Sequence, residues 1–145
     1  MRKLLMVPLM LFLTVTSIYA DELLDGRDAY GRQNYKKALE KLTPLAEQGN
    51  PEAQFHLGLM FAMGRGVVQD YVQAHKWYNL SASNSKGKPH DYSIFLEDTT
   101  GKRLTSAQVH YISTSNIKAI EKEMTPAQIW EARTLAREWS PKPPQ

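Results

Sequence analysis

Ser115 and Lys118 sit in the run Ser115-Asn116-Ile117-Lys118, an S-x-x-K spacing that on a helix sets an amine one turn from a hydroxyl and could make the serine a nucleophile. The S-D-N and K-T-G elements that complete such a site are missing, and 145 residues are too few for the fold that carries them. The histidines, at positions 56, 75, 90 and 110, could ligate a metal or move protons. None has zinc-protease spacing, and the chain has no cysteine to complete a metal set. His56 and His75 fall on successive helices, where they could meet. Gly101-Lys102 lacks the upstream glycine and the following Ser or Thr of a phosphate loop. A small cell-envelope hydrolase built on Ser115 and Lys118, or on His110, is therefore the alternative to a chain with no catalytic set, no cofactor and no metal. Catalysis would need these groups to converge, and the helices that carry them are written most clearly between residues 49 and 82.

Gly49 can end one helix in a left-handed conformation, Asn50 can cap the next, and Pro51 suits a first turn, where a missing N–H costs nothing. Ala53, Leu57, Met60 and Phe61 then form an apolar stripe. Gly58 beside that stripe costs about 1 kcal/mol relative to alanine, so its use is to let a neighbouring helix come close. Gly64 and Gly66 break the helix, Val67 pins the turn, and Asp70 with Gln73 opens a second helix with a capping-box arrangement. Its stripe is Tyr71, Ala74, Trp77, Tyr78 and Ala82. Small residues at 53, 58, 74 and 82 facing aromatics at 61, 77 and 78 are what closely packed antiparallel helices need.

The series Ala53, Leu57-Gly58, Phe61, Gly64, Gly66-Val67, Asp70, Ala74 and Trp77-Tyr78 resembles a Sel-one-like repeat, the short relative of the tetratricopeptide repeat, with Phe61 where that family usually has tyrosine. The resemblance implies an all-α superhelix of helix-turn-helix units that binds a protein or peptide and does no chemistry. A second copy is found by shifting the register: Asn34-Tyr35 with Ala38 repeats Asp70-Tyr71 with Ala74 at a spacing of thirty-six. Gly26 matches Gly58 if the first unit's inter-helix turn is four residues shorter, which makes residues 21–49 closer to an ordinary tetratricopeptide hairpin and residues 50–85 the complete unit. Leu42 to Gln54 looks like the junction between consecutive units, with a kink expected at Pro44.

Two units are fewer than the three or so that bury a continuous core, so something must cover the open ends. Thr125-Pro126-Ala127-Gln128 supplies a cap, a first-turn proline and a capping-box glutamine, followed by the stripe Ile129, Ala132, Leu135, Ala136 and Trp139. Capping helices are thus expected over 116–140, before a tail at 141–145. Trp130 falls off the stripe and is expected to pack under the preceding loop. Residues 86–115 read as an insertion. Tyr92 to Glu97, the turn-prone Asp98-Thr99-Thr100-Gly101 and Gln108 to Ile112 could make a β-hairpin, or Ser106 to Ile112 could be a short helix capped by Thr105 or Ser106. A loop this long is more often functional or disordered than idle.

At the other end, Arg2 and Lys3 precede an apolar run from Leu4 to Ser17, and Ile18-Tyr19-Ala20 before Asp21 supplies a small-residue cleavage site. Residues 1–20 therefore read as an export signal; the run is short for a membrane span and contains Pro8. The expected product is exported, periplasmic in a Gram-negative cell and otherwise secreted, with no stable membrane anchor. The formal net charge of +3 falls to +1 without residues 1–20, which hold Arg2, Lys3 and no acidic residue, so charge gives no reason to invoke nucleic acid. The lack of cysteine leaves neither disulfides nor a lipid-attachment point.

If the units stack as in tetratricopeptide arrays, the resemblance puts the first helix of each pair on the concave side. That places Arg27 and Tyr30 there from the N-terminal hairpin, and Glu52, Phe55, Leu59, Ala62 and Met63 from the central unit. Phe55, Leu59 and Met63 recur at i, i+4 and i+8 as a second apolar stripe. A short helix with two apolar faces is either sandwiched or presents one face to a partner. That partner is a protein or peptide, or a second copy of the chain in a homo-oligomer.

Overall fold

The structure, a computed structural model, describes residues 21–86, 94–97 and 103–143. The export signal expected over residues 1–20, the turn Asp98 to Gly101, and His90 lie outside them.

Helix α1 covers residues 21–31. After a short turn, Asn34 Oδ1 accepts the Lys37 N–H at 3.3 Å and starts α2, Tyr35–Glu47. This helix runs on through Pro44, whose carbonyl still accepts the Gln48 N–H at 3.1 Å. Asn50 caps α3, Pro51–Met63, by accepting the Ala53 N–H at 3.0 Å, with Pro51 in the first turn as its missing donor requires. Gly64, with φ of 63°, ends α3. Asp70 Oδ1 then accepts both the Val72 and Gln73 N–H groups, at 2.8 and 3.0 Å, to open α4, Tyr71–Ser85. These four helices form two antiparallel pairs whose inter-helix turns, 32–34 and 64–70, differ by the four residues expected.

Of the two readings open for the segment after α4, the helix over Ser106 to Ile112 capped by Thr105 is the one found, and the hairpin closes on a different second strand. Strand β1, Ile94–Glu97, pairs antiparallel with β2, Arg103–Leu104, and Gln108 to Ile112 lies inside α5, Ser106–Ile120. The reason is a full capping box: Thr105 Oγ1 accepts the Gln108 N–H at 3.3 Å while Gln108 Oε1 accepts the Thr105 N–H at 2.7 Å. Residues 106–115 are therefore the start of a long helix, so the insertion expected over 86–115 ends at Thr105. A 3₁₀ turn, Glu121–Glu123, leads to α6, Pro126–Glu138, which opens with the expected capping box of Thr125 and Gln128.

Helix α4 packs against α3, α5 and α6, so α5 and α6 supply the cover that two pairs lack. One core joins the first pair to the second through Leu42, Leu45, Leu57, Met60, Trp77 and Leu80. A second, made of Phe55, Ala74, Tyr78, Ile120, Met124 and Ala132, joins the second pair to the cover. Helix α3 gives Leu57 and Met60 to one and Phe55 to the other, which is why it is apolar on two faces. Buried polar side chains in these layers are tied to neighbouring helices. Gln54 Nε2 donates to the Ala46 carbonyl at 3.0 Å, and Ser81 Oγ donates to the Pro51 carbonyl at 2.7 Å. Past α6 the chain returns to the first repeat, where Lys142 N–H donates to the Glu47 carbonyl at 2.8 Å and Trp139 joins the first core. Trp130 does not pack under a loop: α6 docks through Ala132 and Ile129, leaving the indole 68 % exposed.

Close helix packing is most visible at Gly58. A Cβ there would lie 2.6 Å from the ring of Tyr78, which is 1 % exposed and has nowhere to move. The glycine thus admits the aromatic of the partner helix, as its position beside the stripe implies.

Candidate partner-binding face

The residues expected on the concave side come from α1 and α3, and the structure treats them in three ways. Tyr30 on α1 is half-buried and already engaged. Its hydroxyl accepts from Arg65 Nη1 at 2.6 Å, and its ring meets Tyr35 at 5.6 Å and His56 at 5.1 Å, centroid to centroid. Arg27, on the same helix, is half-buried, and its positive charge reaches His56. Glu52 and Phe55 are buried, at 1 % and 5 % exposure, and Leu59 is half-buried against the second core. Met63 is the one of the six that stands in solvent, 54 % exposed at the end of α3.

The stripe Phe55, Leu59 and Met63 is therefore not an open groove along its length. Phe55 packs on Tyr78 at 5.8 Å between ring centroids, within a core that also draws Ile120 and Met124 from beyond the second pair. Helix α3 is contacted by α2 and α4 and additionally by α5 and β1. Of the two outcomes open to a doubly apolar helix, the sandwich is the one realised for Phe55 and Leu59. Burial of the Glu52 carboxyl group in the first turn of α3 sets it where the helix dipole favours negative charge.

Sequence reasoning did not find the part His56 plays. It lies between the repeats, beside Tyr30 of α1 and Phe55 of its own helix, and neither ring nitrogen has a hydrogen-bond partner. Burial first, then the charge of Arg27, pushes its pKa down to about 4. The imidazole is thus neutral near pH 7 and acts as an aromatic filler. Arg65 also went unread, although the Gly64-x-Gly66 turn that carries it was plain.

Among the described residues, the groups weighed for chemistry do not converge. Ser115 and Lys118 are both exposed on α5. His75 is fully buried on α4, with Nε2 2.8 Å from Glu121 Oε1 and Nδ1 2.6 Å from Asn79 Nδ2. Glu121 also accepts from Arg133 at 2.9 Å, and its pKa is lowered first by the hydrogen bond from His75 and further by Arg133. This network ties α4, the 3₁₀ turn and α6 together. His110 donates through Nδ1 to the Ala82 carbonyl at 2.8 Å. His56 and His75 do not meet, since each is taken up by different neighbours. Among the described residues, no group of three or more His, Cys, Asp or Glu side chains could hold a metal ion, and no helix is long and apolar enough to cross a membrane.

Residues 19–50 and 51–86 each match the family model of the Sel1 repeat, together just under half of the chain. Both helix pairs are thus similar to the Sel1 repeat. The boundary at 50/51 is the one that Asn50 and Pro51 mark in the structure, and each match ends with the second helix of a pair. The shorter first hairpin thus matches the Sel1 repeat too, despite its three-residue turn. No curated protein and no solved structure matches the chain. Sel1 repeats are interaction scaffolds, so this architecture points to protein–protein contact.

Proposed function

We propose that this Sel1-repeat chain is an exported, non-catalytic module that recognises a protein or peptide partner. The observation that carries the reading is the pair of helix hairpins matching the Sel1 repeat, with α5 and α6 packed on α4 as their cover. Two further points support it. The candidate nucleophile Ser115 lies exposed on the surface, and Met63 and Trp130 offer exposed apolar contacts of the sort partners use. Export rests on Arg2, Lys3, the apolar run after them and the small residue Ala20.

Partner contact falls on Arg27, Tyr30, Leu59 and Met63, the candidates that keep surface. Recovery of partners from an envelope extract by the exported chain, compared with Met63→Asp and Arg27→Ala, tests this. Met63 is exposed, so its change leaves the core in place, and Arg27 is half-buried. Loss of recovery with either variant is the expected result; equal recovery removes this face as the binding surface. The mass of the chain from its native host tests export, and retention of residues 1–20 overturns it.

A further inference from the structure

The first and last helices carry opposite chemistry on their outer sides. Along α1, Asp21, Leu24 and Asp28 recur at spacings of three and four, and all three are exposed, Leu24 at 37 %. Gly26 and Tyr30, on the other side of that helix, meet α2 and α3 through Leu42, Tyr35 and His56. The exposed side of α1 is therefore the open edge of the first repeat. Beside it lies a cleft of about 440 Å³ lined by Asp25, Asp28, Ala29, Arg32, Asn34 and Lys37. Lys37 Nζ is held by Asp25 at 2.7 Å, so its charge is answered within the cleft. Among the described residues neither Asp21 nor Asp28 forms an ion pair, and against Arg32 alone they leave the edge negative.

Helix α6 docks on α4, with Ile129 and Ala132 turned to the second core. Trp130, Thr134 and Arg137 fall at i, i+4 and i+7 on the opposite side, with Arg133 beside them at i+3. The indole stands in solvent. Arg133 is answered by Glu121 at 2.9 Å. Arg137 donates to the Thr134 hydroxyl at 3.3 Å and, among the described residues, has no carboxylate partner. An exposed tryptophan next to an unanswered guanidinium is the pairing of side chains that most often dominates protein contacts.

We propose that the chain associates head to tail, the Trp130 and Arg137 face of α6 seating on the α1 edge of a second copy. The indole enters the cleft over Ala29 and meets Leu24, while Arg137 pairs with the row of Asp21 and Asp28. A second copy is the occupant because each end supplies what the other lacks, an apolar contact and an unanswered charge of opposite sign. The two faces are different surfaces of one chain, so the contact is heterologous and leaves a free face at each extremity. Growth therefore does not stop at a dimer. This contact is separate from the partner reading above, which falls on Arg27, Tyr30, Leu59 and Met63.

Sedimentation equilibrium of the exported chain tests it: the apparent mass should rise with concentration past that of a dimer, and fall when added salt screens the charges. Asp28→Lys, which sets like charges against each other, should weaken association about tenfold or more. So should Trp130→Ala combined with Arg137→Ala, which removes the anchor and its charge. The decisive readout comes from mixing. At concentrations where the native chain associates, each variant alone should be a monomer. Together they hold one intact edge and one intact face, so a one-to-one dimer that grows no further is expected. All three positions are exposed, and matching circular dichroism shows that the variants fold. A native chain that stays monomeric at every concentration overturns the proposal, as does a mixture of the variants that sediments as monomers. Undiminished association of Asp28→Lys also overturns it, since α6 would then be meeting something other than the α1 edge.

Discussion

In the first repeat three residues, 32–34, join α1 to α2, whereas in the second seven residues, 64–70, join α3 to α4; both pairs nevertheless close at an equivalent glycine. A Cβ at Gly26 would lie 2.8 Å from Leu42, and one at Gly58 2.6 Å from Tyr78. The shared contact defines the unit, and the extra turn residues serve something else. They lead Gly66 over α2, where a Cβ would come within 2.7 Å of the Tyr35 Cβ, and they carry Arg65 to Tyr30. Arg65 also stacks over the rings of Tyr30 and Tyr35, at 5.5 and 5.8 Å from their centroids. The second repeat thus reaches back to hold the first across the seam between them.

Acid should break the seam most strongly. His56 of the second repeat, stacked on Tyr30 of the first, has its pKa lowered from 6.5 to about 4. Below pH 6.5 the unfolded chain takes up a proton that the folded chain refuses. The neutral ring's contribution is therefore complete above pH 6.5, declines as pH falls towards 4, and changes no further below that. At about 1.4 kcal/mol per unit, the loss approaches about 3 kcal/mol. Between pH 8 and pH 4 the urea midpoint of the native chain should fall relative to that of His56→Phe, because carboxylate titration is common to both. A constant difference would mean that His56 takes its proton while folded.

The glycine comparison comes next in size. Gly58→Ala gains about 1 kcal/mol of helix propensity but overpacks a rigid ring, at a cost near the upper end of the usual range of about 1–3 kcal/mol. A net loss of about 2 kcal/mol is expected in urea denaturation. Gly26→Ala meets the branched end of Leu42, which can turn, and should lose about 1 kcal/mol or less. Equal losses would show that the two units close on equally rigid contacts.

Much of this was legible because it is local. Asn50-Pro51, Asp70 and Thr125-Pro126 start helices by bonds within three residues, so their roles are visible without knowing what packs nearby. Gly58 was legible by its cost, which a helix accepts only for a close neighbour. The candidate face was not, since the covering of Phe55 and Leu59 depends on where Ile120 and Met124 come to lie, and nothing in α3 records that. Thr105 or Ser106 could cap a helix there, but Gln108 to Ile112 could also be read as a strand. Only Val109 and Ser113, buried one turn apart, separate the two readings. Trp130 was misplaced for a related reason: a residue off the stripe faces whatever lies there, and here that is solvent.

The smallest effect tests the staple most directly. Tyr30→Phe removes the hydroxyl that accepts from Arg65 at 2.6 Å but keeps the ring over which the guanidinium stacks. A half-buried hydrogen bond of this kind is worth about 1 kcal/mol or less, so the single change should shift the midpoint only modestly. A double-mutant cycle with Arg65→Met isolates the pair: coupling of about 0.5–1 kcal/mol is expected. The same cycle between Arg65 and Tyr35 should retain a smaller, stacking-only term, because Tyr35 offers a ring with no hydroxyl bond to Arg65. Zero coupling at Tyr30 would mean that the long turn merely passes the first repeat; the seam would then rest on His56 and the shared core, and the seven-residue turn would need another explanation.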